Sequence, residues 1–402
     1  MKNSFLRTFV CLFVFFSTLN ASSSDFASQF FDPIDGQFDT SEYLSENAYG
    51  FFPIPVIITD SAVDGGFGLV GVFFHEDEEN QDARLAKMRN ANVGAGRYLL
   101  PPSVSAVMGV TTGNDSIMTG GGHMGIWKAG AIRYTGGAGY GDVNIDFYGS
   151  GDFQLDKPIS LNTKALGMVH SLKFQLRGSR LFLGLKQQSV SAEVSLERGG
   201  DRLPEGLPDK LKQGLEGILS QEVVTSGLGV LAEYDSRDNV FSPTKGYHYS
   251  AGYSQFDETI GSDIDYSVTK FDGRNYWQVV DDWRLAWRLA MESANADDFL
   301  PTFALPSLNI RGIPAARYQG KSIAQTELEV SWDINTRWTL KVFSGMGRVA
   351  DSFEGLGSTE NYLANGTGFR YFIAKRYGIR AGIDIARGPD ETAWYITAGS
   401  AW

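Results

Sequence analysis

The chain has 402 residues, 43% of them hydrophobic, 20% charged and 13% aromatic, with a formal net charge of −12. That is too apolar for a disordered chain, and the acidic balance argues against nucleic acid as a partner. After the N-terminus no apolar run reaches the length of about 18 residues that a transmembrane helix needs, while 47 glycines and abundant aromatics suit strands that alternate lipid-facing and lumen-facing side chains.

Residues 1–21 read as a cleaved secretory signal peptide. Lys2 and Arg7 form its basic end, Phe9 to Phe16 its apolar core, and Leu19-Asn20-Ala21 the approach to cleavage. Cys11, the only cysteine, lies inside that core, whereas a lipidated cysteine would follow it. The mature chain is therefore expected to carry no thiol, disulfide or cysteine-based metal site. Residues 22–50 are polar and acidic with scattered aromatics, and read as a periplasmic N-terminal tail.

The barrel is expected over 51–402. Phe51 to Asp60 and Gly66 to Glu76 read as a first hairpin turning at Gly65-Gly66. Pro53 and Pro55 fit only a strand start or an edge, so this strand is the expected weak seam. Asp77 to Asn92 is charged and reads as a short helix. Ser103 to Thr112 and Ser116 to Trp127 flank the turn Gly113-Asn114-Asp115, and Asp142 to Gly149 follows. Thr163 to Arg177 and Arg180 to Leu196 form a long hairpin at Gly178-Ser179. Gly199 to Gln221 breaks the pattern, with helical spacing over Asp209 to Leu219, and reads as an extracellular loop.

Beyond it alternation is clean. Trp283, Leu285, Trp287 and Leu289 alternate with Arg284, Ala286, Arg288 and Ala290. Trp338, Leu340 and Val342 alternate with Thr339, Lys341 and Phe343. Tyr377, Ile379, Ala381, Ile383 and Ile385 share a greasy face opposite Gly378, Arg380, Gly382 and Asp384. Tryptophan and tyrosine at strand ends suit aromatic girdles. In Trp394 to Trp402, the residues Trp394, Ile396, Ala398 and Trp402 fall on one face. The fold expected is an all-β, transmembrane antiparallel barrel of about sixteen strands.

Three stretches carry a resemblance. The first is Asp235-Ser236-Arg237-Asp238-Asn239 followed by Pro243-Thr244-Lys245-Gly246. The second is Asn309 to Gly320, with Arg311-Gly312 and then a strand bearing Glu327-Leu328-Glu329. The third is Gly366 to Trp402. Together they resemble the BamA/TamA-like outer-membrane barrels, the bacterial surface antigen superfamily. The front part, with Ile58-Thr59-Asp60 and Asp146-Phe147-Tyr148-Gly149, looks like its short members that are nearly all barrel, without periplasmic POTRA domains.

The resemblance implies that the long Ala294 to Lys321 loop folds into the lumen. There Arg311 would meet Glu329 beside Phe343, next to Gly312. A second acid, two residues after the aromatic, would fall at Gly345; Glu327 and Asp384 are the candidates to replace it. Asp235, Arg237, Asp238, Pro243 and Gly246 would fold a periplasmic turn. Trp394, Ile396 and Trp402 would form the C-terminal signal read by outer-membrane assembly machinery.

Relatives insert or export proteins through a seam between first and last strands. A role in outer-membrane biogenesis, or in handling membrane proteins or lipids, is therefore implied, in the bacterial outer membrane. Its partners would be outer-membrane lipids, the assembly machinery and a separate periplasmic protein. The alternatives are a passive channel for small solutes, which inward Arg284, Arg288, Lys341, Arg380 and Asp384 suit, and a non-catalytic surface scaffold.

No cofactor or metal site is expected. His75, His123, His170 and His248 lack ligand spacing. Asp77, Glu78 and Glu79 read as a solvated charge run. No nucleophile elbow or paired-acid constellation occurs, so no enzymatic activity is expected.

Overall fold

A computed structural model describes residues 28–47, 50–76, 78–90, 103–151, 153–197, 203, 207–219 and 221–402. The expected signal peptide, the first residues of the tail, Asp77 and part of the Gly199 to Gln221 loop lie outside them.

Sixteen strands follow one another in a single sheet. They are β1 (Phe51–Ile58), β2 (Gly66–Phe74), β3 (Ser103–Thr112), β4 (Ile117–Trp127), β5 (Ile132–Ser150), β6 (Phe153–Gln175), β7 (Leu181–Leu196) and β8 (Glu222–Asp235). The second half holds β9 (Gly246–Phe256), β10 (Tyr266–Val280), β11 (Trp283–Ala296), β12 (Ser322–Asp333), β13 (Trp338–Ala350), β14 (Tyr362–Ala374), β15 (Ile379–Arg387) and β16 (Thr392–Ala398). Among the described residues three α-helices accompany them: α1 (Ser41–Asn47) in the tail before β1, α2 (Glu78–Asn90) between β2 and β3, and α3 (Asp209–Ile218) between β7 and β8. Each strand pairs antiparallel with the next.

Register fixes which side chains enter the lumen, because a strand's faces alternate. Arg288 pairs with Glu327, Glu327 with Gly345 and Gly345 with Ala364, all on the inward face. Outward, Trp287, Leu328, Trp332, Trp338 and Val342 are exposed. Trp283 and Trp332 stack at 5.7 Å near one rim, as an aromatic girdle does.

The β1 and β16 edges are not joined by a ladder. Phe74 donates its amide to the Gly50 carbonyl at 2.8 Å. Even-numbered β1 residues therefore bond β2, and Phe51, Pro53, Pro55 and Ile57 face the seam. Two of those positions have no N–H to give. On the other side, Gly399 donates to the Arg380 carbonyl at 2.5 Å. Thr392, Trp394, Ile396 and Ala398 therefore turn their backbone groups to the seam. At the seam's end beside the β1–β2 turn, Ser61 donates to the Glu391 carboxylate.

The half of the lumen away from the N-terminal tail is packed with apolar side chains. Phe147, Leu161 and Val194 from the wall pack with Leu211 and Leu215 of α3 and with Leu300 of the long loop. The rim nearest the N-terminal tail has its own packing. Tyr377 and Ala374 meet Leu85 of α2, with Leu44 of α1, Phe74 and Phe241 around them. Tyr377 was expected on the lipid face ahead of Ile379. It lies instead in a 3-10 turn, fully buried, because Gly378 takes a φ of 69° and resets the alternation. The tail is anchored too: Arg337, in the β12–β13 turn, binds Asp32 at 2.6 Å, Asp35 at 2.8 Å and Asp39 at 2.5 Å.

Candidate functional site: a buried arginine clamp in the lumen

The loop between β11 and β12 folds inward because it is itself apolar. Leu308, Ile310, Ile313 and Tyr318 pack against Ile323, Val349 and Ala364. Room for it comes from missing side chains on β13. A Cβ on Gly345 would sit 2.5 Å from Ile310, and one on Gly347 2.6 Å from Leu308. Gly345 is where the resemblance called for an acid; the loop's Ile310 occupies that space instead.

The loop delivers Arg311 to a set of buried carboxylates. Arg311 Nη1 donates to Glu329 Oε2 at 2.8 Å and to Asp384 Oδ2 at 3.1 Å. Its Nε lies 3.5 Å from Glu327 Oε2. Its guanidinium covers the Phe343 ring at 3.5 Å from the centroid, a cation–π contact in a dry site. Of the two candidates for the second acid, Asp384 and Glu327 both serve, and the register explains why. Glu329 pairs with Phe343, Phe343 with Gly366, and Gly368 with Asp384. Four adjacent strands thus point at one volume.

Each carboxylate has a second cation. Arg370 grips Asp384 through two bonds, 2.6 and 2.7 Å. Lys341 bonds Glu329. Arg288 reaches Glu327 at 3.1 Å, Asp272 at 2.9 Å and the Asn309 carbonyl at 3.1 Å. Arg370 and Asp384 are wholly buried. Such charges are tolerable only as a neutral, hydrogen-bonded network. Arg284, Arg288, Lys341, Arg380 and Asp384 were read as suiting a wet lumen. They are buried and paired, Arg380 across 3.9 Å from Asp333.

The loop tip touches both front motifs. The Ala315 amide lies 3.3 Å from the Asp60 carboxylate, and the Arg317 guanidinium 4.0 Å from the Tyr148 ring. Arg317 also pairs with Asp390 at 3.0 Å, and Tyr318 donates to Asp390 at 2.7 Å. Gly312 takes a φ of 96° and donates its amide to the Tyr395 hydroxyl on β16 at 2.8 Å. The loop therefore holds the last strand and the β1–β2 turn at once.

The Asp235 to Gly246 stretch is a turn built from side-chain caps. Arg237 binds Asp235 at 3.0 and 2.8 Å. Asp238 accepts from the amides of Asn239, Thr244 and Lys245 at 3.0, 2.9 and 3.2 Å. Pro243 lies within the turn, and Gly246 turns the chain into β9 with a φ of 110°. Near the C-terminus, Trp394 and Ile396 face outward and are exposed. Trp402 does not share their face. β16 stops at Ala398, Gly399 takes a φ of 88°, and the Trp402 ring comes to 5.8 Å from buried Tyr276.

The fold also gathers histidines that sequence spacing keeps apart. His75 and His123 both bond the Ser105 hydroxyl, at 2.8 and 2.9 Å. Among the described residues no group of three or more His, Cys, Asp and Glu is placed to hold a metal ion.

The sequence profile of the Omp85 superfamily domain matches residues 142–385. Among solved structures, BamA from Haemophilus ducreyi lacking POTRA domains 1–3 superposes with a TM-score of 0.58 at 10% identity, over 87% of this chain and 70% of that one. CdiB from Escherichia coli gives 0.54 at 10% identity, over 87% and 62%. CdiB from Acinetobacter baumannii gives 0.51 at 11% identity, over 87% and 58%. At these identities the likeness is one of fold, and the chain spans less than two thirds of either CdiB. No curated protein matches the sequence.

Proposed function

The chain belongs to the Omp85 superfamily, and on that premise we propose that it is a non-catalytic integral barrel of the bacterial outer membrane that assists insertion or translocation of other proteins. The observation that carries this reading is the unpaired seam. β16 presents a full set of backbone donors and acceptors there, whereas β1 has prolines at two of its facing positions. An exposed strand edge is a template for an incoming strand. The Arg311 loop keeps that template in place by bonding Tyr395 of β16 from inside.

On this reading the chain is exported by its signal peptide, and its own assembly uses outward Trp394 and Ile396 as the signal read by the assembly machinery. Clients would reach it with a separate periplasmic partner. A passive channel is disfavoured by the apolar packing in the half of the lumen away from the N-terminal tail.

The test is the folding rate of a small tester barrel added to liposomes with and without this protein embedded. Acceleration is expected, and its loss is expected in Arg311→Ala where heat-modifiable gel mobility shows that the barrel still folds. Equal rates with and without the wild-type protein would overturn the reading.

A further inference from the structure

The lumen has two unlike halves. The inward wall of β10 to β15 carries the charge network and the loop. The inward wall of β3 to β6 has a patch with few side chains: Gly120, Gly122, Gly137, Gly139 and Gly167 lie there, bordered by Met108, Met118 and Val169. Met108 and Val169 are 41% and 43% exposed although they face the lumen. Against this wall lies a cavity of about 1110 Å³, faced on its far side by Leu305 and Pro306 of the loop, by Tyr266 and by the charged side chains of Asp272, Arg288 and Glu292. On the near side its lining ends at Gly137, Val169 and Gln188, one inward position before Thr135, Ser171 and Lys186. That volume is slightly above the roughly 300–1,000 Å³ of sites that enclose a small organic ligand. An inward barrel wall facing water is expected to be polar; this patch presents glycine, methionine and valine instead.

Three neighbouring strands change character together toward the periplasmic end. β5 reads Gly137, Thr135, Arg133; β6 reads Val169, Ser171, Lys173; β7 reads Val190, Gln188, Lys186, all inward. Register aligns them in rows: Gly139 with Gly167 and Val190, then Thr135 with Ser171 and Lys186, then Arg133 with Lys173. The sequence is apolar, then hydroxyl, then cationic. Glu233 is the carboxylate that answers this cluster, 2.7 Å from Lys173 and 3.5 Å from Arg133. Lys186 has no ion-pair partner among the described residues. The opposite end of the cavity is the apolar packing around Leu215 and Leu300.

We propose that this half of the lumen binds one amphiphile, with its acyl chain along the glycine wall and its anionic head on Arg133, Lys173 and Lys186. The wall supplies an apolar surface without side chains to displace. The cationic row supplies charge-assisted hydrogen bonds to a carboxylate or phosphate. This site is independent of protein insertion, and its test does not use a client.

The test is photo-crosslinking of the full mature chain in proteoliposomes containing diazirine-labelled palmitate or diazirine-labelled phosphatidylglycerol, with adducts assigned to single residues. Adducts are expected on inward Met108 and Met118 as well as on outward Val107 and Thr119, which touch the bilayer in any case. Unlabelled oleate competing at the inward positions identifies a free carboxylate as the natural head; lysophosphatidylglycerol competing there identifies a lipid phosphate. Lys173→Gln with Lys186→Gln should lower the inward adducts roughly tenfold, as loss of about one charged contact would, and leave the outward ones unchanged. Gly167→Phe should abolish the inward adducts by filling the wall. Adducts confined to Val107 and Thr119, or inward adducts unaffected by the two lysine variants, would overturn the proposal.

Discussion

Arg311 and Asp384 stand 73 positions apart and meet at 3.1 Å in the lumen, where Asp384 is wholly buried and already gripped by Arg370. Asp384 thus serves two arginines, one on the wall and one on the loop. That makes it the hinge of the network: Arg311 keeps Glu329 at 2.8 Å without it, whereas Arg370 has no other ion-pair partner among the described residues.

The first prediction follows from that asymmetry. Arg311→Gln leaves Glu329 with Lys341 and Asp384 with Arg370. Asp384→Asn leaves fully buried Arg370 with no carboxylate. Removing one partner of a buried pair costs about 3–5 kcal/mol, and Asp384→Asn should reach that range while Arg311→Gln falls below it. Urea unfolding followed by heat-modifiable gel mobility measures both. A lower midpoint for Arg311→Gln than for Asp384→Asn would contradict the assignment of Asp384 as the hinge.

Gly312 is the second test. Its φ of 96° suits glycine, and a Cβ there would lie 3.1 Å from Ala386 and from the Gly388 amide. Gly312→Val should cost on the order of 1–3 kcal/mol and loosen the loop tip. Protease cleavage near Arg317 should rise. Cleavage at the wild-type rate would show that the loop tolerates the change.

The third concerns the seam. Pro53→Ala with Pro55→Ala restores two amides on the β1 edge facing β16. The edges should then pair more readily, raising the melting temperature and slowing any acceleration of a tester barrel. An unchanged melting temperature together with unchanged acceleration would show that the prolines do not hold the seam apart.

The fourth is a pH dependence of the tail. The Arg337 guanidinium, hydrogen-bonded to Asp35, holds that carboxyl down at about 2, against its ordinary 3.8. A carboxyl lowered on docking binds fewer protons docked than free, so its contribution is present above pH 3.8 and is lost as pH falls through 2. Fluorescence of a dye at Ser28→Cys should report tail release in that window, and Arg337→Gln should release the tail at neutral pH. Release with the same midpoint in both proteins would separate the event from this ion pair.

Much of the fold was legible because a barrel writes itself locally. A period of two between greasy and polar residues fixes strand and face without knowledge of any partner, and Trp283 to Ala290 or Trp338 to Phe343 needed nothing more. The alternation failed where a left-handed glycine reset it. Gly378 buried Tyr377, and Gly399 turned Trp402 inward. Such φ values belong to single residues and leave no periodic trace.

By itself the sequence determined most of the strands, their alternating faces and the prolines of the first strand. It marked only Asp142 to Gly149 of β5 and began β6 at Thr163 rather than Phe153. The pairing of Arg311 with Glu329 beside Phe343 came from the resemblance. Only the tertiary structure decided that Gly345 is space for Ile310, that Asp384 and Glu327 both complete the clamp, and that Arg337 holds the tail. These depend on strands distant in the chain being curled around one volume. Sequence order specifies neighbours along a strand and across a turn; which charges share a dry interior is set by closure of the sheet.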